Sequence, residues 1–273
     1  MHNAARERLS LETELRFALE RRELRAFFQP WCALDDHRVV GVEALVRWQH
    51  PQRGLLTPAD FLSVAEESGM LPAIDLVVLE LALQHFVDWQ QRLGPRAPQH
   101  LNVNVSDRLF AAGDFPQLLQ QLLQTYGADP AQLHLEITET VFRGSADVMR
   151  NTLMALKATG VKLIVDDFGT GYSSLVSFSE SAFDGLKIDR GFIADLESNA
   201  RHRAIVRTIT GFAHDLDLSL VAEGVENEGQ LMLLKQLGCS FAQGFYFAPA
   251  LPATLLEARL SLDPRLDGTS LSI

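Results

Sequence analysis

The chain runs to 273 residues, 47% of them hydrophobic, which is enough for one large α/β core or two small ones. A formal net charge of −11 excludes a surface for a nucleic-acid polymer built on bulk electrostatics, because a polyanion needs a basic patch. It leaves open a small anionic ligand held through metal ions.

The opening MHNAARERLS lacks the apolar stretch of a secretory leader, which points to a cytoplasmic protein. Residues 7–26 carry Leu9, Leu11, Leu15, Phe17, Ala18 and Leu24 among many charges and read as an amphipathic, largely solvated helix. From residue 27 a two-beat rhythm sets in: a short apolar strand ends in a polar cluster, and a helix-length amphipathic segment follows. Cys32 and its distant fellow Cys239 fit no ligand spacing and read as reduced core residues. VVGVEALVRW (39–48) ends near Glu43 and Arg47. LPAIDLVVLELALQHFVDW (71–89) is interrupted by Asp75 and Glu80, so no direct membrane span is expected. HLNVNVS (100–106) alternates, with Leu101, Val103 and Val105 on one face and Asn102, Asn104 and Ser106 on the other. DFPQLLQQLLQTYG has Asp114 as an N-cap, Pro116 in the first turn and Gly127 past the end. LHLEITET (133–140) sets Leu133, Leu135 and Ile137 opposite His134, Glu136 and Thr138. A helix from Ser145 to Gly160 leads into VKLIVDD (161–167), where two aspartates stand side by side ahead of FGTGYSS (168–174). DGLKID (184–189), LSLVAEG (218–224) and SFAQGFYF (240–247) repeat the strand pattern, and ENEGQLMLLKQLG closes a helix at Gly238.

Strand and helix alternating along one chain imply a parallel sheet. The number of strands favours a closed (β/α) barrel over an open dinucleotide-binding sheet, and no GxGxxG follows any strand. The expected organisation is an N-terminal connector helix (1–26), one barrel (27–260) and a C-terminal tail (261–273).

Each strand carries an acid or amide at or toward its C-terminal end. In a (β/α) barrel those ends share the face where active sites sit. Glu43, Asn104, Glu136, Asp166, Asp167, Lys187, Asp189, Glu223 and Gln243 then converge. A lone acid at a strand end is ordinarily a cap or a solvated side chain, Asn102 and Asn104 alone would be turn formers, and Lys187 alone a structural partner for Asp189. Repetition at one end of successive strands argues for chemistry instead. Clustered carboxylates either take up protons or coordinate cations, and oxygen ligands without a placed His or Cys favour Mg²⁺ or Mn²⁺. A divalent metal makes adjacent Asp166 and Asp167 tolerable, and one of them bridging two ions would suit in-line attack on a phosphodiester.

GVEALVRWQHP (41–51), with FFQP (27–30), VNVS (103–106), LEITET (135–140), DDFGTGYSSL (166–175), LKID (186–189), AEGVE (222–226) and QGFYF (243–247), resembles the EAL domain family. The resemblance runs from about Leu11 to Pro252 and implies a modified TIM-type (β/α)8 barrel that hydrolyses cyclic di-GMP to linear pGpG. It implies two divalent cations, Mg²⁺ or Mn²⁺, with Ca²⁺ inhibitory. Glu43, Asn104, Glu136 and Asp166 would bind the first, and Asp166 with Asp167 and Glu223 the second. Lys187 would orient or help deprotonate the attacking water with Asp189 as its partner; Gln29, Arg47 and Gln243 would hold substrate or water. Glu139 would anchor the loop 168–174. The resemblance also allows a homodimer through the segment after that loop, and an upstream sensor or GGDEF domain or partner joined through the N-terminal helix. Phe27 or Phe28 replaces the family's usual Tyr, FAPALP (247–252) shifts a proline, and Ser181-Ala182 stand where Leu-Pro is common; none of these removes a metal ligand. The alternative is a cyclic di-GMP receptor or protein-interaction module with little turnover, which a missing ligand would have signalled.

Overall fold

Strands β1 (Leu24–Ala33) and β2 (Val39–His50) follow the N-terminal helix α1 (His2–Glu20) and are separated only by residues 34–38. That connection is too short for a crossover helix, so the two strands form an antiparallel hairpin, with Gln29 opposite Glu43 and Phe27 opposite Leu45. The computed structural model describes residues 2–143, 146–169 and 183–266.

After the hairpin come β3 (Gly54–Leu56), α2 (Pro58–Glu67), α3 (Leu71–Leu93), β4 (His100–Asn104), α4 (Asp107–Phe110), α5 (Phe115–Tyr126), β5 (Leu133–Thr138) and α6 (Ala146–Ala158). Then follow β6 (Lys162–Phe168), β7 (Gly185–Ile188), α7 (Arg190–Ile193), α8 (Ala200–Asp215), β8 (Ser219–Ala222), α9 (Glu228–Gln236), β9 (Phe241–Gln243), β10 (Leu251–Pro252) and α10 (Ala253–Leu262). Strands β2, β4, β5, β6, β7, β8 and β9 pair in parallel in that order, and β9 returns to β1, which closes the ring. The fold is the expected closed eight-stranded barrel with helices outside. Strand direction departs from the all-parallel expectation, because β1 runs antiparallel to each strand it pairs with, β2, β9 and β10. The cause is the hairpin: helix-length segments separate the later strands, and none lies between β1 and β2.

Strand β5 is buried on both sides along almost its whole length. Leu133, Leu135 and Ile137 pack outward under the helices, and His134 and Glu136 alternate with them into the lumen. Outside β1, Phe28 meets Trp89 of α3 edge-on at 4.7 Å, both nearly solvent-free. A fully buried side chain of this size stabilises the fold by about 1.5–3 kcal/mol.

The N-terminal helix ends at Glu20 and β1 starts at Leu24, so residues 21–26 are turn and strand instead of helix. Its apolar face is docked: Leu11, Leu15 and Ala18 are buried, and Leu9 and Phe17 are exposed. Glu14 meets the buried His50 Nε2 at 2.9 Å, tying α1 to the end of β2. Among the described residues no helix is long and apolar enough to cross a membrane.

Candidate active site

Register brings the polar strand ends to one height. Glu43 pairs with Asn102, Asn104 with Glu136, and Thr138 with Asp166, so side chains from β2, β4, β5 and β6 meet at the C-terminal mouth of the lumen. Lys187 enters from β7, and Glu223 follows β8 directly.

The centre of this group is the Lys187 ammonium, 1% exposed. Its Nζ lies 3.0 Å from Glu43, 2.8 Å from Glu136, 2.5 Å from Glu223 and 3.7 Å from Asp166. Burial alone would push Lys187 down, but Asp166, Glu136, Glu223 and Glu43 outweigh it and hold the amine well above its ordinary range. One ammonium cannot satisfy them all. Burial, with Glu43, Asp166 and Glu223 adding to it, raises Glu136 well above the carboxylate range, and burial raises Asp166 as well. Glu223 is pushed up to about 8 by burial, with Asp166 and Glu43 adding to it. Glu43 alone ends below its ordinary value: burial opposes ionisation, but Lys187 and hydrogen bonds from Gln243 and Asn104 overcome it. The cluster therefore holds protons that a cation would displace.

Two further observations fit a hard divalent cation. The buried Glu136 Oε2 has no hydrogen-bond partner, and oxygens of Asp166, Asp167 and Glu223 lie within 4.8 Å of one another. Asp167 also has a left-handed backbone, φ 53°, a conformation that costs a non-glycine residue roughly 1–2 kcal/mol. Burial, then Asp166 and Asp189, pushes its carboxyl up to about 6.

Asn104 donates to Glu43 Oε1 at 2.8 Å. Gln243 donates to Glu43 Oε2 at 2.7 Å and to Gln29 at 3.1 Å, and Gln29 in turn donates to the Ala248 carbonyl. Glu139, one step beyond the end of β5, accepts from the Gly169 backbone N–H at 2.7 Å; residues 170–174 of the loop it was expected to anchor lie outside the described residues.

Two expected site residues lie outside the Lys187 cluster. Asp189 is not among the carboxylates on Lys187: it caps α7, accepting from the Gly191 N–H at 2.9 Å, and hydrogen-bonds with Asp167. It follows the end of β7, where the chain turns into α7 and leaves the lumen. Arg47 lies beyond the cluster, half-buried, with its guanidinium 5.5 Å from the Phe27 ring and donating to the Val46 carbonyl.

Sequence reasoning missed Asn102 and the pocket's rim. Asn102 is buried and donates to Glu136 Oε1 at 2.7 Å; its place on the same face as Asn104 was the available signal. A cavity of about 190 Å³ opens beside Glu43, Glu223 and Gln243, rimmed by Arg190, Glu226 and Phe245. Phe245 is 68% exposed there, and Arg190 directly follows LKID. Gly244 permits the tight turn into the rim, since a Cβ there would lie 2.1 Å from the Val225 carbonyl oxygen.

Comparison with known proteins gives this geometry a family. Residues 12–250 match the EAL domain. The bifunctional diguanylate cyclase/cyclic di-GMP phosphodiesterase MucR of Pseudomonas aeruginosa is 40% identical over 261 residues, covering 96% of this chain and 38% of MucR. The chain thus spans about two fifths of that relative or less, and similar shares of the other curated relatives. Among solved structures, the c-di-GMP complex of the PaMucR phosphodiesterase superposes with a TM-score of 0.85 at 40% identity, covering 90% of this chain and 99% of that one. The EAL enzyme Bd1971, bound to cAMP and cyclic di-GMP, gives a TM-score of 0.88 at 29% identity, covering 94% and 70%. On a family match spanning most of its length, the chain belongs to the EAL domain family.

Proposed function

We propose that this chain is a metal-dependent phosphodiesterase that hydrolyses one phosphodiester bond of cyclic di-GMP, giving linear pGpG. The observation that carries the reading is the set of carboxylates Glu43, Glu136, Asp166 and Glu223 around the one buried Lys187 ammonium, with Asp167 adjoining. Similarity to MucR and to the PaMucR phosphodiesterase complexed with c-di-GMP supports the substrate.

Glu43, Asn104, Glu136 and Asp166 would hold one Mg²⁺ or Mn²⁺, and Asp166, Asp167 and Glu223 a second. When bound, such ions lower the pKa of a water and stabilise charge on phosphoryl oxygens. The remaining work falls to the chain. Lys187 would orient the attacking water or help to deprotonate it, with Asp189, two places on, as its expected partner. Gln243 and Gln29 form a donor–acceptor chain into Glu43 that can hold water or substrate. Arg47 supplies positive charge above the mouth for a phosphate. Glu139, by gripping the Gly169 N–H, steadies the backbone just after Asp166 and Asp167. A homodimer through the segment after the 168–174 loop, and an upstream sensor or GGDEF domain or partner acting through α1, complete the proposal.

The test is conversion of cyclic di-GMP to pGpG in Mg²⁺, Mn²⁺ or Ca²⁺. Turnover in the first two and none in the third is expected, because calcium's longer, looser coordination mis-spaces a site built for small octahedral ions. Equal turnover in calcium would overturn the two-metal reading, and binding without turnover in any metal would make the chain a receptor.

A further inference from the structure

The opposite, N-terminal end of the barrel holds a second cavity, about 540 Å³, within the roughly 300–1,000 Å³ usual for ligand pockets. One wall is aromatic. The Trp31 indole stacks on His100 with ring centroids 5.8 Å apart and planes 12° apart, and His100 stacks on His134 at 4.6 Å and 28°. Gly41 makes room for the indole, since a Cβ there would lie 2.5 Å from its ring atoms.

The wall carries unused hydrogen-bonding capacity. His134 is 8% exposed and makes no hydrogen bond among the described residues, and His100 Nδ1 is buried without a partner. The nitrogens of each imidazole can donate or accept a hydrogen bond according to tautomer. At the cavity's edge Asp184 is already paired with two lysines, Lys157 at 2.7 Å and Lys162 at 3.0 Å, and Asp217 stands beside them. Both ammonium groups are engaged, so among the described residues the edge offers a phosphate no spare cation.

We propose that this cavity binds an uncharged, planar nitrogen heterocycle of purine-nucleoside size, stacked on the Trp31–His100–His134 wall and hydrogen-bonded by His134. The wall reaches the carboxylate cluster directly. Trp31 Nε1 donates to Asn102 Oδ1 at 3.2 Å, Asn102 donates to Glu136 at 2.7 Å, and Glu136 lies 2.8 Å from Lys187. A ligand that shifts the indole therefore shifts the hydrogen bond on Glu136, and the site acts as an effector site on cation binding.

Adenosine is the probe, because it has the flat heterocycle and no phosphate to engage the upper pocket. Calorimetry on the whole chain should give saturable binding, at least tenfold weaker for AMP. Binding should also be at least tenfold weaker in His134→Phe, which keeps a ring and removes its nitrogens, and unchanged in Glu223→Gln at the other end of the lumen. Saturating adenosine should shift the Mn²⁺ dissociation constant, read by electron paramagnetic resonance, twofold or more. If His134→Phe does not fold, Val40→Phe, which fills the cavity from its wall, must abolish the same binding. No saturable binding, binding indifferent to these cavity variants, or loss of binding in Glu223→Gln overturns the site. An unchanged Mn²⁺ constant overturns the effector role. None of these readouts needs turnover, so failure of the phosphodiesterase reading leaves the result standing.

Discussion

Glu43 is the residue on which the lumen's hydrogen bonds converge: Asn104, Gln243 and Lys187 all donate to it. Glu43→Ala removes a candidate cation ligand and leaves the ammonium short of a partner, so turnover should fall on the order of 100-fold or more. Among the described residues no hydrogen bond joins Arg47 to the cluster, and the phosphate contact proposed for it would be made in ground and transition states alike. Arg47→Ala should therefore raise KM by roughly 10–100-fold with kcat little changed. Steady-state kinetics on the two variants check the assignment, and the reverse pattern would show the roles exchanged. Glu139 acts through backbone, by its 2.7 Å contact with the Gly169 N–H. Glu139→Ala should keep the fold and lose activity by about 10–100-fold, as for an outer partner of metal ligands, with part recovered at high Mg²⁺. Unchanged turnover at limiting Mg²⁺ would reduce Glu139 to an ordinary strand end.

At the scale of elements, α3 is joined to the end of β4 by one half-buried acid. Asp75 accepts the Ser106 backbone N–H at 2.9 Å, just beyond Asn104. Burial pushes its carboxyl from 3.8 up to about 6, the Ser106 hydrogen bonds opposing. The folded state thus holds this proton longer than the unfolded chain. The contribution to stability is full below pH 3.8 and is lost as pH rises through about 6. The loss is on the order of 2–3 kcal/mol at neutral pH. Asp75→Asn keeps an acceptor for Ser106 and carries no charge, so it should raise Tm at pH 7.5 by several degrees and by only about a third as much at pH 4.5. Thermal melts at the two pH values decide, and an equal effect at both would remove ionisation as the cause. The helix α1 is held by its buried Leu11, Leu15 and Ala18 and by the Glu14–His50 pair.

For the whole molecule, proton and cation compete for the same carboxylates. Glu223 titrates near 8 and Asp167 near 6 without metal, both raised first of all by burial. As pH rises through these values the metal-free fold must carry more buried negative charge, so its stability falls. Added Mg²⁺ should therefore raise Tm more at pH 8.5 than at pH 6, because binding at the lower pH must first expel protons. Melting with and without Mg²⁺ at both pH values tests this, and a pH-independent gain would place the ion away from these carboxylates.

The sequence by itself determined the barrel and the height at which its acids stand. Strand alternation is a local property, so Glu136 facing inward and Leu135 outward were readable from LHLEITET, and so was the clustering of carboxylates at strand ends. Pairing across the lumen is not local. Residues 34–38 look like any loop until β1 is seen to fold back on β2. Asp189 stands two places from Lys187 in sequence, yet the start of α7 directs it to Asp167. Asn102 joins Trp31 to Glu136 across three strands, and His100 meets His134 only because β4 and β5 are neighbours. Those contacts depend on how the strands pair around the ring, which brings together residues 22 to 71 positions apart, and tertiary structure alone decided them.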